Sequence, residues 1–374
     1  MAGTLDRFLT NMFMSGIITQ KEGVNYMWHN SFIFFPSYSF AKFYDVLRKD
    51  IGEELDEFFY WLGYIQGKNS TKIIAKRFGY SNKDFQSFID GATIIGMGDL
   101  KLLDINKDYT EANLEATNSI FALNLKKLSD KINFADYYLA GIIAGGTEIL
   151  MNSKFICKET SCMIKDSQKC IYHLKKGESN LKLINKKVKR LNEYDEKISQ
   201  YYLTKESFIK ISLDKKFYLK DGAFYFNNVQ GFNIETYLIL LLDIYLRENH
   251  KKIYEKALND LFNENLKILY PTIKQIVLDK PNLDKLFSNL EICGYGKFIS
   301  KNRVDNKIYI ESPNNIFVNE FKLIFNEKDT YSNMINEIFL KNLFENISNK
   351  KCKVKTINSV MFGNETNLFE ITLN

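Results

Sequence analysis

The sequence predicts an α+β protein built from two tandem copies of one domain. Three observations support this fold class: landmark motifs recur in the same order at an offset of about 198 residues, long segments show helical periodicity, and alternating segments close each half. The recurring landmarks are Gly23–Tyr26 with Gly222–Tyr225, Leu47–Arg48 with Leu246–Arg247, Ile95–Gly98 with Cys293–Gly296, and Asn118–Phe121 with Asn314–Phe317. Because these pairs keep both their order and their spacing, we infer an internal duplication.

Each half is expected to open with a hairpin, continue with long amphipathic helices and close with a second hairpin. The first half is predicted to contain a hairpin over Gly16–Phe35, helices over Ser39–Gly67 and Ser70–Ile94, strands over Leu100–Ile105 and Ala112–Thr117, a helix over Phe134–Met151 and a hairpin over Lys154–Leu174. The corresponding segments of the second half are a hairpin over Phe208–Phe226, helices over Ile234–Phe262, Asn265–Phe287 and Tyr331–Ile347, and a hairpin over Cys352–Leu373.

The repeat sets the predicted domain boundaries. We expect a first domain over residues 1–174, a charged linker over 175–204 and a second, degenerate domain over 205–374. The linker carries the densest basic run of the chain, and its polar surroundings favour a solvated connection over a phosphate-binding patch.

Composition and patterning argue against several classes of protein. With 45% hydrophobic and 26% charged residues, the chain is neither disordered nor fibrous. Its longest apolar run, Tyr237–Leu242, stops at Asp243, far short of the roughly 20 residues that span a bilayer. No signal-peptide pattern opens the sequence, and five cysteines, an odd number, argue against a disulfide framework. We therefore expect a cytoplasmic protein without a membrane span.

Nucleic-acid binding and catalysis have little support. The net charge of +6 comes from interspersed residues, 51 basic and 45 acidic. The segment Thr71–Ser81 has the rhythm of a helix-turn-helix, but plain helical hairpins share it. No nucleotide-binding glycine loop is present, and the three histidines lie far apart in sequence. We predict no nucleic-acid partner and name no catalytic residue.

A cysteine cluster is the strongest chemical signal. Cys157, Glu159 and Cys162 are followed after seven residues by Cys170, in the predicted hairpin that closes the first half. Thiolate and carboxylate are zinc ligands, and a hairpin can bring Cys162 and Cys170 opposite each other. Glu159 and Cys162 would leave a regular strand on opposite faces, so joint ligation needs a bulge or bend between them. The alternative is a set of reduced, half-buried cysteines near a carboxylate.

Comparison of the two halves of the sequence favours the interpretation of this cluster as a metal site. At an offset of 198 residues, Glu159, Cys162 and Cys170 correspond to the apolar residues Ile357, Val360 and Leu368. A lost metal site is expected to lose its ligands together, because a partial set would bury charge without compensation. We therefore expect metal in the first half only.

The same region resembles a known family. Tyr138–Met151 with its paired glycines, the segment Cys157-Lys-Glu159-Thr-Ser-Cys162 and Cys170-Ile-Tyr172 are similar to the end of a 4-vinyl reductase domain. This family includes the sensor modules of phenol-responsive activators and shares the fold of small subunits of the Golgi transport particle (TRAPP). The resemblance covers most of residues 16–174 and implies a small hydrophobic ligand beside a structural zinc ion.

The resemblance also implies the zinc ligands. Glu159, Cys162 and Cys170 match three ligands of the phenol sensors, and the position of their fourth, a Cys, is occupied here by Asp136, whose carboxylate can also ligate zinc. Asp136 is equally suited to cap the following helix. His173 and Cys157 are the reserve candidates.

The expected ligand is a small hydrophobic molecule other than phenol. The His and Trp that hold the phenolic hydroxyl in the phenol sensors have no counterpart between Trp61 and His173. With 30 Phe and 22 Tyr, the first half is expected to enclose an aromatic-lined cavity, a packed aromatic core being the alternative. The glycines Gly141, Gly145 and Gly146 flatten one stripe of their helix, for close helix packing or for close approach by a ligand.

These observations predict a small-molecule binding or sensor protein. Two other functions stay open: a protein-interaction scaffold like the transport-particle subunits, and an accessory protein in vinyl reduction of a tetrapyrrole. The duplication further predicts an intramolecular pseudo-dimer, because a tether raises the effective concentration of the second copy to about millimolar.

Overall fold

The computed structural model of the protein describes residues 18–21, 24–27, 30–78, 85–94, 96–128, 136–165, 167–178, 197, 217–220, 223–226, 228–269, 278–325 and 331–374. Groups of helices and groups of antiparallel strands follow one another along these residues, so the predicted α+β class is confirmed. Most of the predicted linker, from residue 179 onward, lies outside the described residues apart from 197. Within the described part of the chain, no helix is both long and apolar enough to cross a membrane.

The elements follow the same order in the two halves. In the first half they are β1 Ile18–Lys21, β2 Val24–Met27, β3 Asn30–Pro36, α1 Ser37–Ile51, α2 Glu53–Phe78, α3 Phe85–Ile94, β4 Asp99–Ile105, β5 Glu111–Thr117, α4 Ile120–Lys126, α5 Tyr137–Met151, β6 Phe155–Ser161 and β7 Cys170–Lys176. In the second half they are β8 Phe217–Lys220, β9 Ala223–Phe226, β10 Val229–Glu235, α6 Thr236–Asn249, α7 Lys251–Leu269, α8 Lys280–Ile292, β11 Lys297–Val304, β12 Lys307–Asn314, α9 Ile316–Phe325, α10 Tyr331–Ser348, β13 Cys352–Asn358, a 3-10 turn Val360–Phe362 and β14 Asn367–Leu373.

Each half forms a four-stranded antiparallel sheet with the same strand order. The first sheet runs β4-β5-β7-β6, and the second runs β11-β12-β14-β13. In β5 and β7 alternate residues are buried, so one face of the first sheet packs on the protein interior and the other faces solvent. The closing hairpins therefore occupy equivalent positions in the two sheets.

The described chain divides into two compact units. Of the described residues, unit 1 contains those between 35 and 233, and unit 2 contains those between 18 and 34 and between 234 and 374. Each unit thus includes the opening hairpin of the other half of the sequence. Sequence periodicity carries no signal for this assignment, because it reports local structure and not the surface on which a hairpin packs.

Aromatic packing shows how the hairpin residues belong to unit 1. The ring of Phe232, on β10, lies 5.2 Å from Phe40 and 5.4 Å from Phe121, measured between centroids. Phe40 and Phe121 are themselves 5.4 Å apart, and Tyr138 lies 5.7 Å from Phe121. These are edge-to-face and tilted contacts of a packed core.

The boundaries of the long helices differ from the sequence prediction in both halves, and two glycines of the first half show why. The first long helix ends at Ile51, because Gly52 adopts a positive φ of 77° and its N–H bonds to the Arg48 carbonyl. Gly67, which the sequence suggested as a boundary, instead lies inside α2, where a Cβ atom would meet the Ile142 carbonyl oxygen at 2.1 Å. A glycine can end a helix or permit close packing, and the pattern alone does not distinguish these roles.

Glycines bring α2 and α5 into backbone contact. A Cβ atom on Gly141 would lie 2.1 Å from the Tyr60 carbonyl oxygen, and one on Gly145 would lie 2.0 Å from the Tyr64 carbonyl oxygen. Gly63 on α2 meets the Tyr138 carbonyl oxygen in the same way, at 2.0 Å. Of the two roles proposed for the glycine stripe, helix packing is therefore confirmed.

A buried carboxylate ties α1 to α2 in unit 1. Asp56 accepts hydrogen bonds from the Tyr44 hydroxyl and from Arg48, whose Nε lies 2.8 Å from Oδ1 and whose Nη2 lies 2.9 Å from Oδ2. Burial, and then the charge of Asp56, raise the pKa of Tyr44. The cluster therefore fixes the angle between the two helices that flank Gly52.

Replacing this carboxylate is expected to destabilise the protein. Asp56→Ala leaves a buried hydroxyl and a partly buried guanidinium without their acceptor, so the free energy of unfolding should fall by about 3 kcal/mol. Urea unfolding checks this value. The matched control, Glu178→Ala, removes an exposed ion pair to Lys154 and should leave the urea midpoint unchanged; equal effects of both variants would contradict the expectation.

Unit 2 contains the same type of cluster with two members exchanged. Tyr254 on α7 donates to Asp243 on α6, and Arg247 Nη2 lies 3.7 Å from Asp243 Oδ2. In unit 1 the tyrosine is on the first helix and the aspartate on the second. The tyrosine–aspartate contact is thus present in both units, but the two residue types have exchanged helices. This pattern favours duplication followed by compensating substitution.

Candidate metal centre

The hairpin β6–β7 places three potential ligands together. Glu159 pairs with Tyr172, and Ser161 pairs with Ile171, so the register shifts by one residue between them. This shift is the bulge that the spacing of Glu159 and Cys162 required, and that prediction is confirmed. Without it the two side chains would leave opposite faces of β6.

The donor atoms of Glu159, Cys162 and Cys170 lie within 4.8 Å of one another. The two Sγ atoms are 3.9 Å apart, and both cysteines are free thiols. Two thiolates on one tetrahedral zinc ion, with Zn–S bonds of about 2.3 Å, place their sulfurs about 3.8 Å apart. The donor set therefore fits zinc in both chemistry and spacing, and within the described residues this is the group that does so.

Asp136 lies beside this group, at the N-terminus of α5. Its side chain caps the helix by accepting from the Leu139 N–H at 3.2 Å, and it also accepts from the Ser119 and Tyr172 hydroxyls. Its own N–H donates to Glu159 Oε2 at 3.1 Å. The capping role weighed in the sequence analysis is thus present, and three of the roughly four acceptor positions of the carboxylate are used.

Burial perturbs the ionisable groups of the site. It raises the pKa of Asp136 to about 7, with a further contribution from the charge of Glu159. Burial and the neighbouring Cys162 raise the pKa of Glu159 to about 8. A hydrogen bond with Cys162, and then burial, raise the pKa of Cys170. Burial and mutual repulsion therefore disfavour the ionised forms of these neighbouring acids. A bound cation would favour those forms, because it attracts their negative charges.

A lysine that the sequence analysis did not single out holds the tip of this hairpin. Lys126 Nζ, from the end of α4, donates to the Met163 carbonyl oxygen at 3.0 Å, and the Met163 N–H points to Cys170 Sγ at 3.5 Å. The contact joins residues far apart in sequence, so no local motif could have revealed it.

The two reserve ligand candidates lie outside the cluster. His173 follows Tyr172 on β7 and therefore faces the solvent side, where its Nδ1 contacts Asn113 Oδ1 at 3.1 Å. Cys157 is buried, and its N–H donates to the Tyr60 hydroxyl at 3.2 Å. Neither belongs to the group of neighbouring donor atoms.

The closing hairpin of unit 2 repeats this register. Thr356 pairs with Phe369 as Glu159 pairs with Tyr172, and in both hairpins the register shifts directly after this pair. The offset between equivalent residues is therefore 197 in this region.

The apolar counterparts taken from the sequence, namely Ile357, Val360 and Leu368, are therefore wrong by one residue. Successive strand residues point to opposite faces, so a slip of one residue exchanges the buried for the exposed set. Ile357 is 44% exposed, which excludes it from a buried cluster. The residues that occupy the ligand positions are polar: Thr356, Ser359 and Asn367.

No family model and no curated protein matches the chain, so the resemblance to 4-vinyl reductase domains stays a prediction. Among solved structures, the chain is similar to the phenol-responsive sensory domain of the transcription activator PoxR with phenol, at 18% identity and a TM-score of 0.42, covering 48% of this chain and 95% of that one. It is also similar to a trafficking protein particle complex subunit 3 from Naegleria fowleri covalently bound to palmitic acid, at 16% identity and a TM-score of 0.28, covering 38% of this chain and 95% of that one. Neither similarity reaches a TM-score of 0.5, so the function has to be inferred from the residues of this chain.

Proposed function

We propose that the protein is a zinc-stabilised binding protein whose unit 1 holds one structural zinc ion. The observation that carries this is the convergence of Glu159, Cys162 and Cys170 at the bulged end of β6. Bound there, the ion would supply a cross-link between the two strands of the hairpin. The ion would also lower the free-energy cost of burying the thiolate and carboxylate ligands, because its charge compensates theirs.

Asp136 is the proposed fourth ligand. Its carboxylate is fully buried, its N–H already contacts Glu159, and one acceptor position remains after its three hydrogen bonds. Hydrogen bonds from Ser119 and Tyr172 would then orient a ligating oxygen, as partners of metal ligands commonly do. Ligation by Asp136 would fasten the hairpin to the start of α5.

The molecule that unit 1 binds is proposed to be small and hydrophobic. The aromatic cluster of Phe40, Phe121 and Phe232 supplies apolar side chains that such a ligand would contact after displacing part of their packing. The five cysteines are free thiols, in keeping with a reducing, cytoplasmic location.

Native mass spectrometry of protein purified without denaturation tests this function. We expect one zinc ion per chain together with an apolar molecule of low mass. Denaturing the same sample should release both. A chain that carries zinc but no small molecule would contradict the ligand-binding role and leave the structural role of the metal.

A protein-interaction scaffold is the second candidate. Ile357 and Phe362 are large apolar residues at the closing hairpin of unit 2, and they are 44% and 55% exposed. If these residues belong to one contiguous apolar patch, that patch would be the contact surface for a protein partner. In the same native spectrum, a stoichiometric protein in place of a small molecule would support this alternative.

A further inference from the structure

We propose that unit 2 contains a metal-free counterpart of the metal centre, in which hydrogen bonds fasten the hairpin that zinc fastens in unit 1. The counterpart consists of Asn333, Thr356, Ser359 and Asn367, which occupy the positions of Asp136, Glu159, Cys162 and Cys170. This inference rests on the proposed zinc site. It adds the role of the metal, which is mechanical fastening of the hairpin.

Direct hydrogen bonds join the counterpart residues to the elements around them. Ser359 Oγ donates to Asn333 Oδ1 at 3.0 Å, which links the end of β13 to α10. Asn367 Oδ1 accepts from the Val360 N–H at 3.2 Å, and its Nδ2 donates to the Ser312 carbonyl oxygen at 3.3 Å. Asn333, Ser359 and Asn367 are all buried. The network therefore connects the closing hairpin to α10, as a zinc ion on the four proposed ligands would connect the hairpin to α5 in unit 1, and it also reaches β12.

Glu337, on α10, adds two further hydrogen bonds to the unit 2 network. Glu337 Oε1 accepts from the Thr356 N–H at 2.8 Å and from its hydroxyl at 2.6 Å. The equivalent position of α5 is Ala140, which is buried. Unit 1 thus has a carboxylate at the strand position, Glu159, and none at the helix position of Ala140, whereas unit 2 has the reverse arrangement, with Thr356 and Glu337.

Both hairpins have the same anchor at their tips. Lys126 Nζ lies 3.0 Å from the Met163 carbonyl oxygen, and Lys322 Nζ lies 2.8 Å from the Val360 carbonyl oxygen. The backbone of the two tips is therefore held alike, and only the chemistry of the side chains beneath it differs. Because the backbone geometry is shared, we expect each unit to accommodate the side chains of the other at these positions.

The unit 1 residues with sulfur ligands form weaker hydrogen bonds than their unit 2 counterparts. The contacts of Cys170 Sγ, at 3.5 Å to the Met163 N–H and 3.9 Å to Cys162 Sγ, are weak compared with those of Asn367. Thiolates and carboxylates are ligands for a cation, whereas hydroxyls and amides can donate and accept hydrogen bonds among themselves. All members must therefore change together, which is what the two units show.

Transfer of the ligand set into unit 2 of the full-length protein tests the inference. The variant carries five substitutions: Asn333→Asp, Glu337→Ala, Thr356→Glu, Ser359→Cys and Asn367→Cys. Elemental analysis should find two zinc ions per chain where the unaltered protein has one. A folded variant that still holds one zinc ion would overturn the inference.

A control tests the register itself. It places the same ligand types one residue away, through Ile357→Glu, Val360→Cys and Leu368→Cys, and should keep one zinc ion per chain. A second zinc ion in this variant would contradict the equivalence proposed here. Absence of zinc from the unaltered protein would instead refute the proposed function, so the two failures are distinguishable.

The reverse transfer decides the question if the first variant fails to fold. Asp136→Asn, Ala140→Glu, Glu159→Thr, Cys162→Ser and Cys170→Asn install the hydrogen-bonding set in unit 1. This protein should bind no zinc, and its thermal midpoint should be insensitive to EDTA and lie within about 5 °C of that of the zinc-bound protein. A midpoint as low as that of Cys162→Ser alone would overturn the inference.

Discussion

Cys162→Ser is expected to abolish zinc binding and to destabilise unit 1 by about 4 kcal/mol or more. The substitution removes one of the two thiolates, so the remaining ligands hold the ion weakly, and without the ion its cross-link between the strands of the hairpin is lost. Zinc content by elemental analysis and urea unfolding followed by circular dichroism measure the two effects. Cys170→Ser should behave in the same way.

Cys157→Ala is the matched control for these variants. Cys157 lies on β6, the strand that carries Glu159, and is as buried as Cys162 and Cys170, but it is outside the group of neighbouring donor atoms. Its replacement should retain one zinc ion per chain and cost about 1 kcal/mol, the loss of a small buried side chain. Zinc loss in Cys157→Ala, or zinc retention in Cys162→Ser, would show that the ligand set is wrongly assigned.

Gly141→Ala is expected to have the second large effect, a loss of about 3 kcal/mol or more. The added Cβ atom would lie 2.1 Å from the Tyr60 carbonyl oxygen, a backbone atom that cannot turn aside as a side chain can. The helices α2 and α5 would have to separate, and α5 begins at Asp136, beside the metal centre. Urea unfolding should therefore show a lower midpoint, and zinc should be released at a lower chelator concentration.

Gly177→Ala serves as the control for the glycine contact. A Cβ atom there would meet only the Ile156 side chain, at 3.4 Å, which is ordinary van der Waals contact. Its urea midpoint should match that of the unaltered protein. If Gly141→Ala is equally harmless, the backbone contact between α2 and α5 does not hold unit 1 together.

The local parts of the site could be predicted from the sequence. The spacing of Glu159 and Cys162 required a bulge, and β6 has one. The choice of fold class also followed from periodicity, because helical and alternating segments bury different faces. These features depend on a few neighbouring residues, which a single sequence displays directly.

The features that the sequence did not reveal depend on exact strand register or on contacts between distant residues. Alignment of the halves at one fixed offset put Ile357 opposite Glu159, although a single residue separates the exposed from the buried face of a strand. Membership of Phe232 in the aromatic core of unit 1 joins residues from the two halves of the chain, and the anchor from Lys126 to Met163 is formed only in the folded sheet. None of these contacts produces a periodic pattern in the sequence.

Zinc K-edge X-ray absorption of the full-length protein, purified without chelator and normalised to protein concentration, tests the central claim most directly. The account predicts one zinc ion per chain with two sulfur neighbours at about 2.3 Å and oxygen neighbours at about 2.0–2.2 Å, from Cys162, Cys170 and the carboxylates of Glu159 and Asp136. A protein without stoichiometric metal, or a zinc ion without two sulfur neighbours, would contradict it.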